Sequence, residues 1–253
     1  MFKLETVYLG GKRPVVTAHR GFSGKYPENT LPAFKAAYRL GVDIIEFDVR
    51  ESIDSELLIM HDSSIDRTTN GSGEINKLKF KDLRLVNASY WQGTHDRGKR
   101  LEKPAYENLQ IPTFREILEF CAGKDLGINI QVYVDSPAAL KKICSLYAEF
   151  DLYQKAFLMI ATFKQAQAVK EINPRIEICV GEERDNLKRH KEFGSKIIQP
   201  WKAFVTPEFC CEIADIGLWA NMFFSNTPEE NEKYLSYGLQ GIMTDLPDLL
   251  LKQ

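Results

Sequence analysis

Four side chains that can carry out acid–base and metal chemistry stand close together near the start of the chain. His19 and His61 each follow an apolar run, ValValThrAla and LeuLeuIleMet, while Glu46 and Asp48 stand two residues apart in IleIleGluPheAspVal. Each polar group therefore lies at or near the end of a strand-like segment. Because barrel enzymes place their catalytic groups at strand ends, these four residues predict an active site.

The spacing of Glu46 and Asp48 predicts that both carboxylates share one face of a strand, since alternate residues of a strand point the same way. Ile45, Phe47 and Val49 then occupy the opposite face. Two inward carboxylates repel unless one is protonated or a cation lies between them. A hard divalent cation, Mg²⁺ or Ca²⁺, suits these oxygen ligands. For the pair alone, an exposed edge strand with solvated acids is the alternative, and the flanking histidines favour the metal site.

The two histidines predict general acid–base catalysis. A single histidine at a strand end is more often hydrogen-bonded or exposed than catalytic, but His19 and His61 form a pair. Imidazole has an unperturbed pKa near ~6.5, so one histidine can be protonated and the other neutral around neutral pH. Cleavage of a phosphodiester needs that division, because one group activates the nucleophile and the other protonates the leaving alcohol.

Apolar strand-like runs alternate with helical patterns along the chain. Eight such runs are predicted, at residues 15–19, 42–49, 127–134, 156–160, 176–180, 195–199, 216–223 and 240–244. Helices between them begin at N-cap signals such as Thr113 and Thr227. This alternation predicts an α/β protein with a parallel sheet, either closed into a barrel or open and doubly wound.

The length and composition predict one domain. The chain has 253 residues, of which 44% are hydrophobic, which suits a single barrel spanning residues 1–253. Residues 62–110 break the alternation and are interpreted as an insertion within that domain. Tyr90 and Trp91 in this segment are expected to pack on the barrel rim or to line an entrance.

The charge and the apolar pattern exclude several classes of partner. A net charge of −2 gives no overall basic field, so nucleic-acid binding is not expected. The first residues lack the pattern of a signal peptide, and no stretch approaches ~18 consecutive apolar residues. We therefore expect a cytoplasmic protein with no integral membrane association, while the oligomeric state stays open. Five cysteines without CxxC spacing indicate reduced thiols.

A set of short motifs follows in a specific order along the chain. They are HisArgGly at 19–21, ProGluAsnThr at 27–30, GluPheAsp at 46–48, HisAsp at 61–62, ArgThrThr at 67–69, IleProThrPhe at 111–114 and GlyIleMetThrAsp at 241–245. Together they resemble the glycerophosphodiester phosphodiesterase family over nearly the whole chain. The resemblance implies a (β/α)8 TIM barrel of the PLC-like phosphodiesterase type with a small insertion after the second barrel strand. It also implies metal-dependent hydrolysis of glycerophosphodiesters to glycerol 3-phosphate and an alcohol.

The resemblance also implies roles for two further residues. Arg20 stands where the family's arginine contacts phosphate, and a planar guanidinium can bridge two phosphate oxygens. Trp219 falls in a late strand where the family carries an active-site tryptophan. Both are therefore expected to bind substrate.

The third predicted strand departs from the family pattern, which reads roughly Asn-Ile-Glu-Ile-Lys. Residues 129–133 read Asn-Ile-Gln-Val-Tyr, so the amide of Gln131 replaces an acidic metal ligand and the phenol of Tyr133 replaces a phosphate-facing lysine. Gln131 is expected to complete the metal site through its amide oxygen, and Tyr133 to contact substrate. Lys202 and Glu182, after later strands, can supply the lost cation and carboxylate.

The sequence thus predicts a phosphodiesterase whose activity on a small-molecule phosphodiester is reduced by the altered strand. Two alternatives remain. One is a barrel without turnover that binds a phosphorylated ligand, motivated by the changes at Gln131 and Tyr133. The other is a lyase that forms a cyclic phosphate, as in the resembling sphingomyelinase D group, because the same histidine pair can drive attack by a substrate hydroxyl.

Overall fold

The computed structural model of the chain describes residues 2–11, 13–94 and 96–251. Within these ranges there are eleven strands: β1 (Val15–Ala18), β2 (Ile44–Glu51), β3 (Leu57–Ile59), β4 (Trp91–Gln92), β5 (Lys99–Arg100), β6 (Gly127–Val132), β7 (Ala156–Ile160), β8 (Ile178–Val180), β9 (Ile197–Ile198), β10 (Trp219–Met222) and β11 (Gly241–Thr244). The α-helices are α1 (Leu4–Gly10), α2 (Leu31–Leu40), α3 (Phe80–Leu83), α4 (Phe114–Cys121), α5 (Pro137–Glu149), α6 (Phe163–Ile172), α7 (Leu187–Phe193), α8 (Pro207–Ile216), α9 (Pro228–Ser236) and α10 (Asp248–Leu251). None of the helices in these ranges is long and apolar enough to cross a membrane.

Eight strands form one parallel sheet in the order β8, β7, β6, β2, β1, β11, β10, β9. Helices alternate with these strands along the chain. In the described part of the chain no hydrogen-bonded ladder joins β8 to β9, so the barrel is nearly closed and has one seam. The predicted (β/α)8 TIM barrel is confirmed, and each of the eight predicted runs overlaps one barrel strand.

The strands are buried on both faces, as a parallel sheet covered by helices requires. The outward residues Ile45, Phe47 and Val49 belong to the core between the strands and the helices. Inward residues at the starts of the strands, such as Ile44 and Phe157, form a second core inside the barrel. The polar inward residues Glu46 and Asp48 follow further along β2, so the barrel is apolar at its floor and polar towards its mouth.

The chain reverses direction between β2 and β3, and this reversal returns His61 to the mouth of the barrel. Strand β3 pairs antiparallel with β2, placing Ile59 beside Val49, and the Met60 N–H donates to the Asp48 carbonyl at 2.9 Å. The chain then enters residues 62–110, the predicted insertion, which the structure describes apart from His95. This segment contains α3 and the β4–β5 hairpin, and it is anchored by a third apolar cluster.

Helix α1 closes the floor of the barrel, and this corrects the role expected for Trp219. Trp219 is the first residue of β10 and pairs with Ile197, the first residue of β9. Its ring stacks on Tyr8 of α1 with centroids 5.4 Å apart, and both side chains are buried in the inner core. The expectation that Trp219 binds substrate at the mouth is therefore wrong, because the residue lies at the opposite end and packs the floor.

The packing of Trp219 generates a prediction about stability. We expect Trp219→Ala to lower the free energy of unfolding by about 3 kcal/mol, because a buried indole is replaced by a cavity. Urea unfolding measures this change. Trp201→Ala is the matched control, since Trp201 is 44% exposed and removal of its side chain should cost much less. A Trp219→Ala protein that unfolds at the same urea concentration as the wild type would contradict the packing role given to Trp219.

Candidate active site

Two carboxylates and two amides form a polar patch on the inner face of β2 and β6. The register of the two strands places Glu46 beside Asn129 and Asp48 beside Gln131. Asn129 is fully buried, and its amide oxygen and nitrogen find no hydrogen-bond partner among the described residues. Buried amides in proteins are nearly always hydrogen-bonded, so we expect the Asn129 amide to bond to a further polar group. The structure thus brings together the three residues predicted to hold a metal.

The two carboxylates of this patch are close enough to perturb each other. Burial and the neighbouring Asp48 carboxylate raise the pKa of Glu46 well above its usual range, against the attraction of Arg20. The Glu46 Oε2 atom accepts the Arg20 backbone N–H at 2.8 Å, and Asp48 Oδ2 accepts from the Asn29 amide at 2.7 Å. Burial and the Asp48 charge therefore favour the protonated form of Glu46 when no additional cation is present.

Arg20 lies behind this patch, in contact with its carboxylates. The guanidinium is buried and donates from Nη1 to Glu28 Oε1 at 2.9 Å, and its Nε lies 3.3 Å from Asp48 Oδ2. Burial disfavours the charge, but Asp48, Glu28 and Glu46 outweigh it and raise the pKa of Arg20 above its ordinary value. The structure therefore shows Arg20 in ion pairs that fix the carboxylates, in addition to its predicted contact with phosphate.

The ion pairs continue from Glu28 to His61 through a second arginine. Arg67 donates two hydrogen bonds to Glu28, at 2.7 and 2.8 Å, and two to Asp62, at 2.7 and 3.0 Å. Burial of Glu28 opposes ionisation, but the hydrogen bonds and charges of Arg67 and Arg20 lower its pKa from 4.5 to about 2. Asp48, Arg20, Glu28, Arg67 and Asp62 thus form one series of ion pairs, the ion-pair chain, in which negative and positive side chains alternate.

His19 is held by a buried aspartate that sequence reasoning did not single out. Its Nδ1 lies 2.7 Å from Asp245 Oδ1, and Asp245 also accepts from Ser23 and Asn226. Burial of Asp245 opposes ionisation, but the His19 charge and these hydrogen bonds hold its pKa well below its usual range. The His19 ring stacks on Phe224 at 5.5 Å. The sequence feature that could have identified Asp245 is its position directly after β11, the last barrel strand.

His61 forms a matching pair on the other side of β2. Its Nδ1 lies 2.8 Å from Asp62 Oδ1, and its ring is 5.6 Å from the Tyr133 ring. Burial of Asp62 opposes ionisation, but the hydrogen bonds and charges of His61 and Arg67 hold its pKa well below its usual range. Burial, together with Asp48 and Glu46, raises the pKa of Tyr133 above its ordinary value, so the phenol stays a hydrogen-bond donor.

The two residues expected to compensate for the altered strand are engaged elsewhere. Lys202 Nζ lies 2.8 and 2.9 Å from the two carboxylate oxygens of Glu230, and 5.8 Å from the Phe224 ring centroid. Lys202 therefore lies at the rim of the barrel, and Glu230 balances its positive charge. Glu182 accepts the Phe163 backbone N–H at 2.9 Å at the start of α6. The structure places neither side chain in the carboxylate patch.

The Glu28 ion pairs generate a prediction about acid stability. The folded pKa of Glu28 lies below its ordinary value, so the carboxylate stabilises the fold above pH 4.5 and loses that contribution as the pH falls to about 2. The expected loss is about 3 kcal/mol. We expect Glu28→Gln to remove this part of the pH dependence, measured as the free energy of unfolding between pH 4.5 and 2.

Glu149→Gln is the control for that experiment, because Glu149 pairs with Arg115 at 2.6 Å on the exposed surface. Exposed pairs contribute little to stability, so its profile should follow the wild type. An identical pH slope for wild type and Glu28→Gln would contradict the role given to this ion-pair chain.

Comparisons with known proteins bear on the family and the fold of the chain. The model of the "Glycerophosphoryl diester phosphodiesterase family" matches residues 19–249. A glycerophosphodiester phosphodiesterase of Caldanaerobacter subterraneus is 28% identical, with 94% of this chain and 97% of the relative covered. A glycerophosphoryl diester phosphodiesterase structure from Silicibacter pomeroyi has a TM-score of 0.82 at 19% identity, covering 98% and 95%. An Oleispira antarctica phosphodiesterase, in complex with sn-glycerol-3-phosphate, has a TM-score of 0.78 at 24% identity, covering 95% and 96%. The chain therefore belongs to the glycerophosphoryl diester phosphodiesterase family.

Proposed function

We propose that the chain is a metal-dependent phosphodiesterase that hydrolyses glycerophosphodiesters to glycerol 3-phosphate and an alcohol. The observation that carries the proposal is a pair of histidine–carboxylate units on either side of β2. His19 with Asp245 follows β1, and His61 with Asp62 lies against Tyr133 after β6. The names of the relatives and the product complex of the Oleispira antarctica protein support the substrate class.

The two histidines divide the proton transfers. Asp245 Oδ1 lies at hydrogen-bond distance from Nδ1 of His19, and Asp62 Oδ1 from Nδ1 of His61, so each carboxylate orients its imidazole. The neutral imidazole accepts a proton from the attacking water, while the imidazolium donates one to the leaving alcohol. The Tyr133 hydroxyl, which stays protonated, is a donor for a phosphoryl oxygen.

The donor set of the patch fits Mg²⁺ better than Ca²⁺. The described residues include no group of three or more His, Cys, Asp or Glu side chains arranged to hold an ion. The available ligands are Glu46, Asp48 and the amide oxygen of Gln131, with the unpartnered amide of Asn129 beside them. Mg²⁺ is commonly bound by one or two carboxylates with water and substrate phosphate, whereas Ca²⁺ takes more protein oxygens. When bound, the ion supplies Lewis-acid polarisation of the phosphoryl group.

The histidine pairs predict the outcome of substitution. We expect His19→Gln and His61→Gln each to lower kcat by about 10²- to 10⁴-fold, because each removes one proton-transfer group. Release of glycerol 3-phosphate from glycerophosphoglycerol measures the rate, and thermal melting checks folding. His190→Gln is the matched control, since His190 is a buried histidine of α7 that bonds to the Glu183 carbonyl.

Product analysis of the same reaction distinguishes the alternatives. Glycerol 3-phosphate supports hydrolysis, a persistent cyclic phosphate would indicate a lyase, and binding without any product would indicate a ligand-binding protein. Wild-type rates in folded His19→Gln and His61→Gln proteins would contradict the proposed mechanism.

The donor set predicts how the metal affinity changes. We expect Gln131→Glu to raise Mg²⁺ affinity roughly tenfold and Glu46→Gln to lower it, because each alters the number of anionic ligands. Titration calorimetry of EDTA-treated protein with MgCl₂ measures both. Glu51→Gln is the control, since Glu51 lies on β2 outside the patch and accepts from Ser136. Equal Mg²⁺ affinity in all variants would show that the ion binds outside the patch of Glu46, Asp48 and Gln131.

A further inference from the structure

Side-chain hydrogen bonds cross the seam between β8 and β9, where the described residues form no strand ladder. At the floor of the barrel, a carboxylate oxygen of Glu177, just before β8, accepts the Lys196 backbone N–H, just before β9, at 2.8 Å. At the mouth, Arg184 donates from Nε to the Gly181 carbonyl at 3.2 Å and from Nη1 to the Gln199 carbonyl at 2.9 Å. Gly181 follows β8 and Gln199 follows β9. Arg184 therefore joins the two strand ends on the side of the barrel that holds the active site.

The bonds of Arg184 join strands and do not balance charge. Within the described ranges Arg184 forms no ion pair with a carboxylate, and both of its hydrogen bonds go to backbone carbonyls. A guanidinium presents its N–H donors in a rigid planar fork and can stack on an aromatic ring at the same time, which an ammonium cannot do. Arg184 uses both properties, because its Cζ also lies 4.1 Å from the Trp201 ring centroid.

The ring of Phe223 is the next neighbour of this joint. Trp201 and Phe223 form an isolated parallel bridge that keeps the register of β9 with β10, and the Phe223 N–H donates to the Pro200 carbonyl at 3.0 Å. The Trp201 and Phe223 ring centroids are 5.0 Å apart in an edge-to-face arrangement. The Arg184 Cζ lies 5.6 Å from the Phe223 centroid. Trp201 and Arg184 thus both restrict the movement of the Phe223 ring.

The Phe223 ring in turn packs against the imidazole of His19. The two ring centroids are 5.6 Å apart at an interplanar angle of 87°, and Phe224 stacks on the same imidazole at 5.5 Å and 19°. Asp245 holds Nδ1 at 2.7 Å, which fixes one atom of the imidazole. Packing against the two phenylalanine rings restricts the plane of the imidazole, and with it the direction in which Nε2 points.

We propose that Arg184 is a positioning residue for the His19 imidazole. The inference rests on the proposed function and adds a residue to it. By joining β8 to β9, Arg184 holds Trp201 and Phe223 in place, and Phe223 holds the His19 ring in the plane from which Nε2 exchanges a proton. Displacement of such a group slows the reaction, because proton transfer requires hydrogen-bond geometry.

The test measures kcat and KM for glycerophosphoglycerol in Arg184→Lys protein, with thermal melting to check folding. Lysine keeps the positive charge but cannot reach both carbonyls with a planar fork that also stacks on Trp201. We therefore expect kcat to fall by about 10- to 100-fold with little change in KM. A wild-type kcat in folded Arg184→Lys protein overturns the inference, since the charge alone would then be sufficient.

Glu177→Ala is the matched control, because it removes a hydrogen bond across the same seam at the floor of the barrel. We expect it to lower stability without lowering kcat. If Glu177→Ala and Arg184→Lys lower kcat by the same factor, the seam has only a general structural role and the inference is overturned.

A double-mutant cycle shows whether Arg184 acts through Phe223. We expect Phe223→Leu to lower kcat by a factor similar to that of Arg184→Lys. The double variant should then be no slower than Phe223→Leu alone, because both substitutions interrupt one series of contacts. Effects that multiply would show that Arg184 acts independently of Phe223 and would overturn the inference.

The imidazole NMR signals of His19, assigned with His19→Gln, test the same contact without substrate. The Phe223 and Phe224 rings shift these signals through their ring currents, so we expect the Cε1–H signal of His19 to move in Arg184→Lys and to stay in place in Glu177→Ala. An unmoved signal in Arg184→Lys overturns the inference. Absence of glycerol 3-phosphate from the wild-type reaction contradicts the proposed function, while the NMR result still decides whether Arg184 positions His19.

Discussion

The charge balance between buried carboxylates and two arginines is the constraint on which the rest of the mouth depends. Asp48, Arg20, Glu28, Arg67 and Asp62 form one chain of alternating charge that reaches from β2 to the inserted segment. Buried ions are tolerated only when paired, and removing one partner from such a pair typically costs about 3 to 5 kcal/mol. These ion pairs therefore fix the position of Asp48 on β2 and of Asp62, the partner of His61.

This constraint also explains why the inserted segment belongs to the site. Asp62 and Arg67 follow β3, and Arg67 is further held by contact with the Trp91 ring, at 4.7 Å. Asp62 takes its position from two hydrogen bonds of Arg67, so the orientation of His61 is tied to the packing of this segment. The first histidine needs no such support, since Asp245 comes from the adjacent barrel strand β11. One histidine–carboxylate unit is part of the barrel and the other depends on the insertion.

The sequence predicted the eight barrel strands from apolar runs between helical patterns, and the shared face of Glu46 and Asp48 from the two-residue period of a strand. It could not reveal that Trp219 starts its strand, since the apolar run predicted at 216–223 extends beyond both ends of β10 and does not fix where the strand begins. The partners Asp245 and Glu28 were also missed as site residues, because pairing across the barrel depends on closure rather than on local pattern. Lys202 was expected to compensate for Tyr133, but Glu230 of α9 balances its charge.

The changes at Gln131 and Tyr133 form one consistent arrangement when their neighbours are considered. Gln131 lies in register with Asp48, so a carboxylate there would add a third anion beside Glu46, whose pKa is already raised. A lysine at position 133 could balance that anion, but its ammonium would meet the Arg50 guanidinium that now lies 4.6 Å over the Tyr133 ring. An amide and a phenol remove both repulsions together, because the phenol ring attracts Arg50. The cation at this side of the mouth is therefore carried by β2 itself, one strand away from the position that the family pattern gives to lysine.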